Sequence, residues 1–444
     1  VTIRRVPTDF RVDEIATAAF RESLRPAADA RALFAVYRLQ KTSLSTPEAT
    51  ARLAKALTIK PGDVSHAGLK DKHAHTTQHV SARARDLAAA ARFAPEITAP
   101  GVHATLAGWS SAPTDASIIE SNHFEIIIRG LSRETSDRMA RHARALTLIP
   151  DSARHRKDST EHVIRRKDSA SPASASSPLP IAHSPLPLAT PSLLFTNYFG
   201  EQRFGSARHG QGFAAAHLIR GDFDTALNLL IATPARKDTG ARRAFTRAAA
   251  THWGQWNDLL AAAPPSPHRR AIEVLASGGS FADAFASLPM IDQRLCVDAY
   301  QSWLWNHAAA ELLRESLAAT PDAMLDLSTD HGPLVFARAD AVPPSLGQLI
   351  APLPRKAASL DGDWARAVAR VLSRESLNLD QLEIPTLRRP RFDPGDRPLF
   401  APASNFSLSK SSPDEFAKGR LARTARFDLP SGSYATIVLR ALGQ

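Results

Sequence analysis

His66–Ser81 reads HAGLKDKHAHTTQHVS, and it places Gly68, Lys70, Asp71, Lys72, Thr76 and Gln78 within a few residues of one another. One acid between two lysines, followed by an alternating polar segment, is a sequence that a core tolerates poorly. Nearby positive charge favours the ionised form of a carboxylate. An anionic Asp is what a nucleophile or an electrostatic stabiliser needs at neutral pH. The same residues would also serve as a solvated turn ahead of a strand, because charge runs are most often solvated faces.

The flanks of this stretch alternate between strand and helix signals. Phe10 and Val12 alternate, and so does the run Leu33–Leu39, which predicts strands. A helix is expected next, with Ala49, Leu53, Ala56 and Leu57 as its apolar stripe. Thr46 as N-cap with Pro47 at the first position, or a Ser45/Glu48 capping box, would each start it. Gly62-Asp63 marks a turn. Beyond the central stretch, Ala84–Ala91 reads as helix and His123–Arg129 as a strand with Phe124, Ile126 and Ile128 on one face. Ser132–Leu148 reads as an amphipathic helix capped by Ser132. From 151 to 191 Ser, Ala and Pro dominate, and such composition cannot offset its ordering entropy. That segment is expected to be a disordered insertion, with a basic RKDS echo at 156–159 and 166–169. From Phe195 to about Leu382 the pattern is mostly helical, and no repeat of 20–50 residues is evident. Strand signals return at Arg426–Leu429. A Pro430/Gly432 turn comes next, then a last helix with Ser433 as N-cap.

The chain has 444 residues, which suggests two to three domains and ample length for a core. A net charge of +11 points to a polyanionic partner, nucleic acid first and an anionic membrane second. No apolar run reaches the roughly 18 residues of a membrane span, and VTIRRVPTDF has no signal-peptide core. The single cysteine, Cys296, rules out an internal disulfide and a zinc site built from several cysteines, and fits a reducing cytoplasm.

GLKDKHAHTTQ resembles the G-x-K-D-x-x-A-x-T-x-Q signature of the TruD family of tRNA pseudouridine synthases. Five further blocks lie in family order along the chain. Asp9–Glu14 is similar to D-F-x-V-x-E and Asn122–Phe124 to N-x-F. Asn197–Gly205 (NYFGEQRFG), Ala299–Asn306 (AYQSWLWN) and Leu429–Thr436 (LPSGSYAT) complete the set. The resemblance implies an α+β fold, with a pseudouridine-synthase-type mixed, mostly antiparallel catalytic sheet and an inserted α-rich TRUD domain. The catalytic domain would be assembled from 1–150 and 387–444, around the 151–191 insertion and a TRUD domain at 192–386.

The implied activity is isomerisation of uridine to pseudouridine in tRNA, most simply at uridine 13. The reaction adds no atoms and changes no oxidation state, so no metal or organic cofactor is expected. It needs a carboxylate near C1′, as glycoside cleavage does, and a base held out of its stack. By resemblance Asp71 is the catalytic carboxylate, Phe124 the ring that stacks on the extruded uracil and Asn122 its companion. Phe10 and Phe427 match aromatics of the same pocket. Arg4 stands where the family usually has lysine, and a cation there would pair with Asp71, although Arg keeps the charge and not the geometry. Lys70 would contact phosphate or Asp71. Arg203, and Arg388 with Arg389 and Arg391, suit RNA backbone contacts. His66, His73, His75 and His79 crowd the central stretch. His73 and His75 share a strand face, which allows a metal pair or surface histidines near RNA. The partner expected is tRNA, with no membrane and no obligatory protein partner, for a cytoplasmic monomer. Two rivals stand beside this reading, a catalytically silent tRNA-binding or RNA-folding protein and a metal-dependent nuclease using the histidines.

Overall fold

Alternation along the first half of the chain produces strands that cross one large sheet. The computed structural model describes residues 1–148, 191–205, 207, 210–234, 238 and 240–444. The insertion expected at 151–191 lies outside the described residues, apart from Pro191. The chain divides into two units. Unit 1 comprises Val1–Ser136, Leu146–Leu194 and Pro402–Asp428, and unit 2 comprises Asp137–Ala145, Phe195–Ala401 and Leu429–Gln444.

The strands in chain order are β1 (Phe10–Ala16), β2 (Phe34–Thr42), β3 (Val64–His66), β4 (His75–Arg83), β5 (Glu96–Ala99), β6 (Val102–Ser110), β7 (Ile119–Leu131), β8 (Thr147–Leu148) and β9 (Ser192–Thr196). They continue with β10 (Met324–Thr329), β11 (Gly332–Ala337), β12 (Ile350–Pro352), β13 (Asp396–Pro398), β14 (Phe400–Leu408), β15 (Ser412–Pro413) and β16 (Leu421–Pro430). The large sheet has twelve strands in the order β5-β6-β2-β4-β1-β7-β16-β14-β9-β8, with β3 on β4 and β15 on β16. Among the described pairings only β1 with β4 is parallel, and the rest are antiparallel. This is the mixed, mostly antiparallel α+β architecture expected.

Two strand pairings bring the motif residues together. β1 runs parallel to β4, with Val12 opposite Thr76. The segments that lead into these strands, carrying Arg4 and Asp71, therefore emerge at the same end. β1 runs antiparallel to β7, with Val12 opposite Phe124 and Glu14 opposite Asn122. Side chains alternate along a strand, so Phe10, Val12, Glu14, Asn122 and Phe124 share one face.

The core of unit 1 packs Tyr37, Leu39, Val80, Trp109 and Phe93 against Ala49 and Leu53. The last two come from the helix Thr46–Leu57, and Ala56 of the expected stripe is exposed in favour of Ala54. Ser45, not Thr46, caps this helix. Its hydroxyl accepts from Glu48 N–H while Glu48 returns a bond to Ser45 N–H at 2.7 Å. The helix Arg133–Leu146 is capped by Ser132, as expected. It stops at Leu146, where Thr147–Leu148 turn extended.

Unit 2 is mostly helical and is built around the 27-residue helix Met290–Ser316, which buries Cys296, Val297, Tyr300, Leu304, Trp305, Ala308 and Leu312. The sequence pattern missed its antiparallel hairpin β10–β11. The last helix, Ala435–Ala441, starts after Tyr434 rather than Ser433, because the Ser433 hydroxyl instead donates to Asn197 Oδ1 at 3.0 Å.

Candidate active site

Asp71 lies on the segment between β3 and β4, and buried side chains from three elements hold that segment. Gln78 of β4, fully buried, donates to Gly68 O at 3.4 Å. Thr46, at the start of its helix, accepts from Lys70 N–H at 2.9 Å and donates to Gln78 Oε1 at 3.1 Å. That engagement is why the Thr46 hydroxyl is not the helix cap. Lys41 of β2 is 1% exposed, and its ammonium donates to Asp71 O at 2.6 Å and Leu44 O at 2.7 Å. Burial lowers the Lys41 pKa to about 8, against the pull of Asp71, which favours the charged form.

The two lysines that flank Asp71 are not its partners. Lys72 pairs with Glu48 at 2.9 Å in solvent. Lys70 turns inward and reaches Glu14 and Asn122, so the expected contact with Asp71 is not made. The charge that meets the Asp71 carboxylate comes from the N-terminal segment, where Arg4 donates to Oδ2 at 2.5 Å. The Asp71 side chain keeps 28% exposure in this pair. Backbone N–H of His73 adds a contact to Oδ1 at 3.3 Å.

Arg4 is held in place by the Asp of D-F-x-V-x-E. Asp9 is fully buried and accepts from Arg5 N–H and Val6 N–H, each at 3.1 Å. Arg129 of β7 donates to its other oxygen at 2.8 Å, and Asp414 takes Arg129 and Gly130 N–H from the far side. This buried network ties the chain just after Arg4 to the sheet, and the Arg4 guanidinium then lies 4.4 Å over the Phe10 ring.

Three expected aromatics form one row. Phe10 meets Phe124 edge-on at 6.1 Å, and Phe124 stacks on Phe427 at 5.5 Å with 26° between planes. Phe10 and Phe427 are buried, at 4% and 0% exposure, so neither offers a face to a base. Phe124 is part-exposed and is the ring available for stacking. On the same strand face Glu14, with a fully buried side chain, pairs with Lys70 at 2.8 Å and takes His79 N–H at 2.9 Å. Burial pushes the Glu14 carboxyl up, but the His79 hydrogen bonds and the Lys70 charge together hold it below its ordinary value. From sequence, Lys41, Glu14 and Asp9 were given no site role, Thr46 was read only as a helix cap and His79 only as one of the crowded histidines. The motif match over Asp9–Glu14 was the signal for Glu14 and Asp9, and nothing in the sequence pointed to Lys41.

Of the histidines, His79 contacts Glu14, His75 Nδ1 lies 2.9 Å from Thr42 Oγ1, and His73 is exposed. Among the described residues no group of three or more His, Cys, Asp and Glu side chains is gathered to hold a metal.

The remaining motif blocks belong to unit 2 and interlock there. Tyr198 O–H donates to Val335 O at 2.9 Å, and Asn306 of AYQSWLWN pairs both backbone groups of Phe199. Arg397, 8% exposed, donates to Asn197 O at 2.5 Å and to Asn197 Oδ1 at 2.8 Å, and it lies 4.1 Å over the Phe199 ring. Gly200 is required by close approach, since a Cβ there would meet Tyr434 of LPSGSYAT at 2.8 Å. Arg203 is engaged with Asp298 at 3.2 Å, while Arg388 and Arg389 are exposed.

A part-exposed carboxylate fixed by a guanidinium that itself lies over the first of three aromatic rings, the middle one part-exposed, suits attack at an electron-poor carbon while a flat base is held. The family model for tRNA pseudouridine synthase D (TruD) matches residues 1–442. The chain belongs to the TruD family. Its relatives include the tRNA pseudouridine synthase D of Aquifex aeolicus, 25% identical over 100% of this chain and 98% of that protein. That of Leptospira interrogans is 19% identical over 99% of this chain and 95% of that protein. A crystal structure from Methanosarcina mazei bearing the TruD name shares the fold, with a TM-score of 0.63 and 21% identity over 99% of this chain and 92% of that one. For a TruD chain, Arg4 is the departure noted from sequence, and it makes the pair with Asp71 directly.

Proposed function

We propose that this protein isomerises uridine to pseudouridine in tRNA, at uridine 13 of the D-arm region, with Asp71 as the catalytic carboxylate. Membership of the TruD family supports the activity. The observation that carries the role of Asp71 is its part-exposed carboxylate, held by Arg4 at the end of the aromatic row that runs through Phe124. In the reaction the C1′–N1 bond breaks and its electron pair leaves with N1. The carboxylate stabilises the electron-poor C1′ while the base is held and turned. A C1′–C5 bond then forms from the C5–C6 π pair, C5 gives up its proton and N1 gains one, so product and substrate are isomers. Phe124 offers its face to the base, with Phe10 and Phe427 as backing. Unit 1, drawn from both ends of the chain, is the catalytic part, and Arg203, Arg388 and Arg389 of unit 2 contact RNA backbone. The protein acts as a cytoplasmic monomer without an obligatory protein partner.

The test is incubation of the purified protein with unmodified tRNA transcript, with and without chelator, then mapping of pseudouridine and gel analysis of length. The expected result is intact RNA with pseudouridine at position 13 under both conditions. Cleaved RNA and loss of activity with chelator would favour a nuclease. Tight binding with no pseudouridine would favour a silent RNA-binding protein.

A further inference from the structure

Asn122 leaves β7 on the same face as Phe124, two residues away. Its amide is not free to turn. Lys70 Nζ lies 2.8 Å from Asn122 Oδ1, and an ammonium can only donate. The oxygen therefore faces Lys70 and the NH2 group faces away. Lys70 is itself fixed, with a side chain 9% exposed and 2.8 Å from the fully buried Glu14 carboxylate. The other Glu14 oxygen is occupied by His79, from its backbone N–H at 2.9 Å and its ring Nδ1 at 3.1 Å. Moving Lys70 away would leave a buried charge without its partner, which is strongly unfavourable. Asn122 Nδ2 has no protein acceptor among the described residues.

We propose that Asn122, locked in this orientation by Lys70, is a donor-only reader of position 4 of the target pyrimidine, with Lys70 as the positioning residue behind it. This rests on the reading of the protein as a uridine isomerase. Uracil carries carbonyl oxygens at C2 and C4. To exchange N1 for C5 at the sugar, the ring either rotates in its plane or turns over about its N3–C6 axis. Either motion brings O2 to the place that O4 has left. A donor aimed at that place finds an acceptor in uridine and again in pseudouridine. Cytosine carries an amine at position 4, so it meets the locked amide donor to donor. An amide free to flip would accept from that amine and would not discriminate. A site built to hydrogen-bond one group rejects the analogue that cannot answer it.

The test is an atom-substitution cycle in the full-length protein. Transcripts carry uridine or 4-thiouridine at the target, sulfur being the weaker acceptor, and single-turnover rates are measured. In the wild type, sulfur should slow the reaction about tenfold, the worth of one net hydrogen bond. In Asn122→Leu and Lys70→Met the penalty should shrink below about twofold, and Lys70→Arg, which keeps a donor, should restore it. Glu14→Gln with Lys70→Met removes both buried charges and serves if Lys70→Met alone does not fold. Variants too slow to time are read as transcript affinity in the Asp71→Asn background, where the wild-type amide should also prefer uridine to cytidine. An equal sulfur penalty in wild type and Asn122→Leu overturns the proposal. A penalty lost in Asn122→Leu but kept in every Lys70 variant overturns the role of Lys70. Failure of the wild type to make pseudouridine in the uridine transcript is a different result, and it defeats the functional reading together with this one.

Discussion

Asp71 takes its counter-charge from a residue 67 positions earlier and not from its neighbours in sequence. Arg4 therefore has a sharp expected effect. Arg4→Ala should lower kcat by about 10- to 100-fold, the range of one charge-assisted hydrogen bond at about 1.5–3 kcal/mol. Arg4→Lys should recover part of that loss, since it restores the charge and not the guanidinium fork. Steady-state kinetics on one tRNA transcript would check both, and an Arg4→Ala variant with unchanged kcat would remove Arg4 from the site. The motif match put a cation at position 4 and an acid at 71, but with Arg where the family usually has Lys the sequence left open whether the two meet, and the structure pairs them. The fate of Lys70 was not legible. A lysine beside an Asp reads as its partner until the β1–β7 register brings Glu14 and Asn122 to the same spot. Phe10, Phe124 and Phe427 were legible as a group. Their division into one part-exposed ring and two buried supports depends on packing, which motif spacing does not encode.

At the scale of elements, the feature that matters is the clamp on Gly68–Asp71 from β2, β4 and the start of the helix Thr46–Leu57. Lys41 is its charged member. Its folded pKa is about 8 and its ordinary value is 10.5. Between these pH values the unfolded chain holds the proton and the folded chain does not, so this group makes stability rise with pH across that window. Relative to Lys41→Met, the wild type should gain on the order of 3 kcal/mol of unfolding free energy from pH 8 to 10.5, at about 1.4 kcal/mol per pKa unit. Denaturant unfolding at several pH values would measure this, and a wild-type-to-variant difference that does not change with pH would contradict it. Sequence periodicity identified β1, β2, β7 and the capped helices, because alternation and cap residues are local signals. It left Thr46 and Ser45 undecided as caps. The choice turned on where the Thr46 hydroxyl is used, which is a contact with Lys70 and Gln78 of the clamp.

At the scale of the molecule, an excess of 55 Lys and Arg over 44 Asp and Glu gives a net charge of +11. Binding to a polyanion should weaken steeply with salt through counterion release. Arg388→Glu with Arg389→Glu, two exposed cations, should lower tRNA affinity about tenfold and flatten the salt dependence by about one unit of slope per lost phosphate contact. Filter binding from low to physiological salt would show it, and an unchanged slope would take these arginines out of the interface. Family membership and the α+β class were legible at this scale because six motif blocks fall in order along the chain. The grouping of the last helix with unit 2 was not, since it depends on partners far away in sequence, and the hairpin β10–β11, although closed by a local turn, was passed over inside a stretch read as mostly helical. The most direct test of the account uses the whole protein with Asp71→Asn, an isosteric change that removes the negative charge. Pseudouridine formation in tRNA and tRNA affinity are measured side by side. Pseudouridine formation should fall by about a thousandfold or more, the scale of removing a group that acts at the reacting centre, with tRNA affinity within about threefold of wild type. Pseudouridine formation at the wild-type rate in that variant would contradict this.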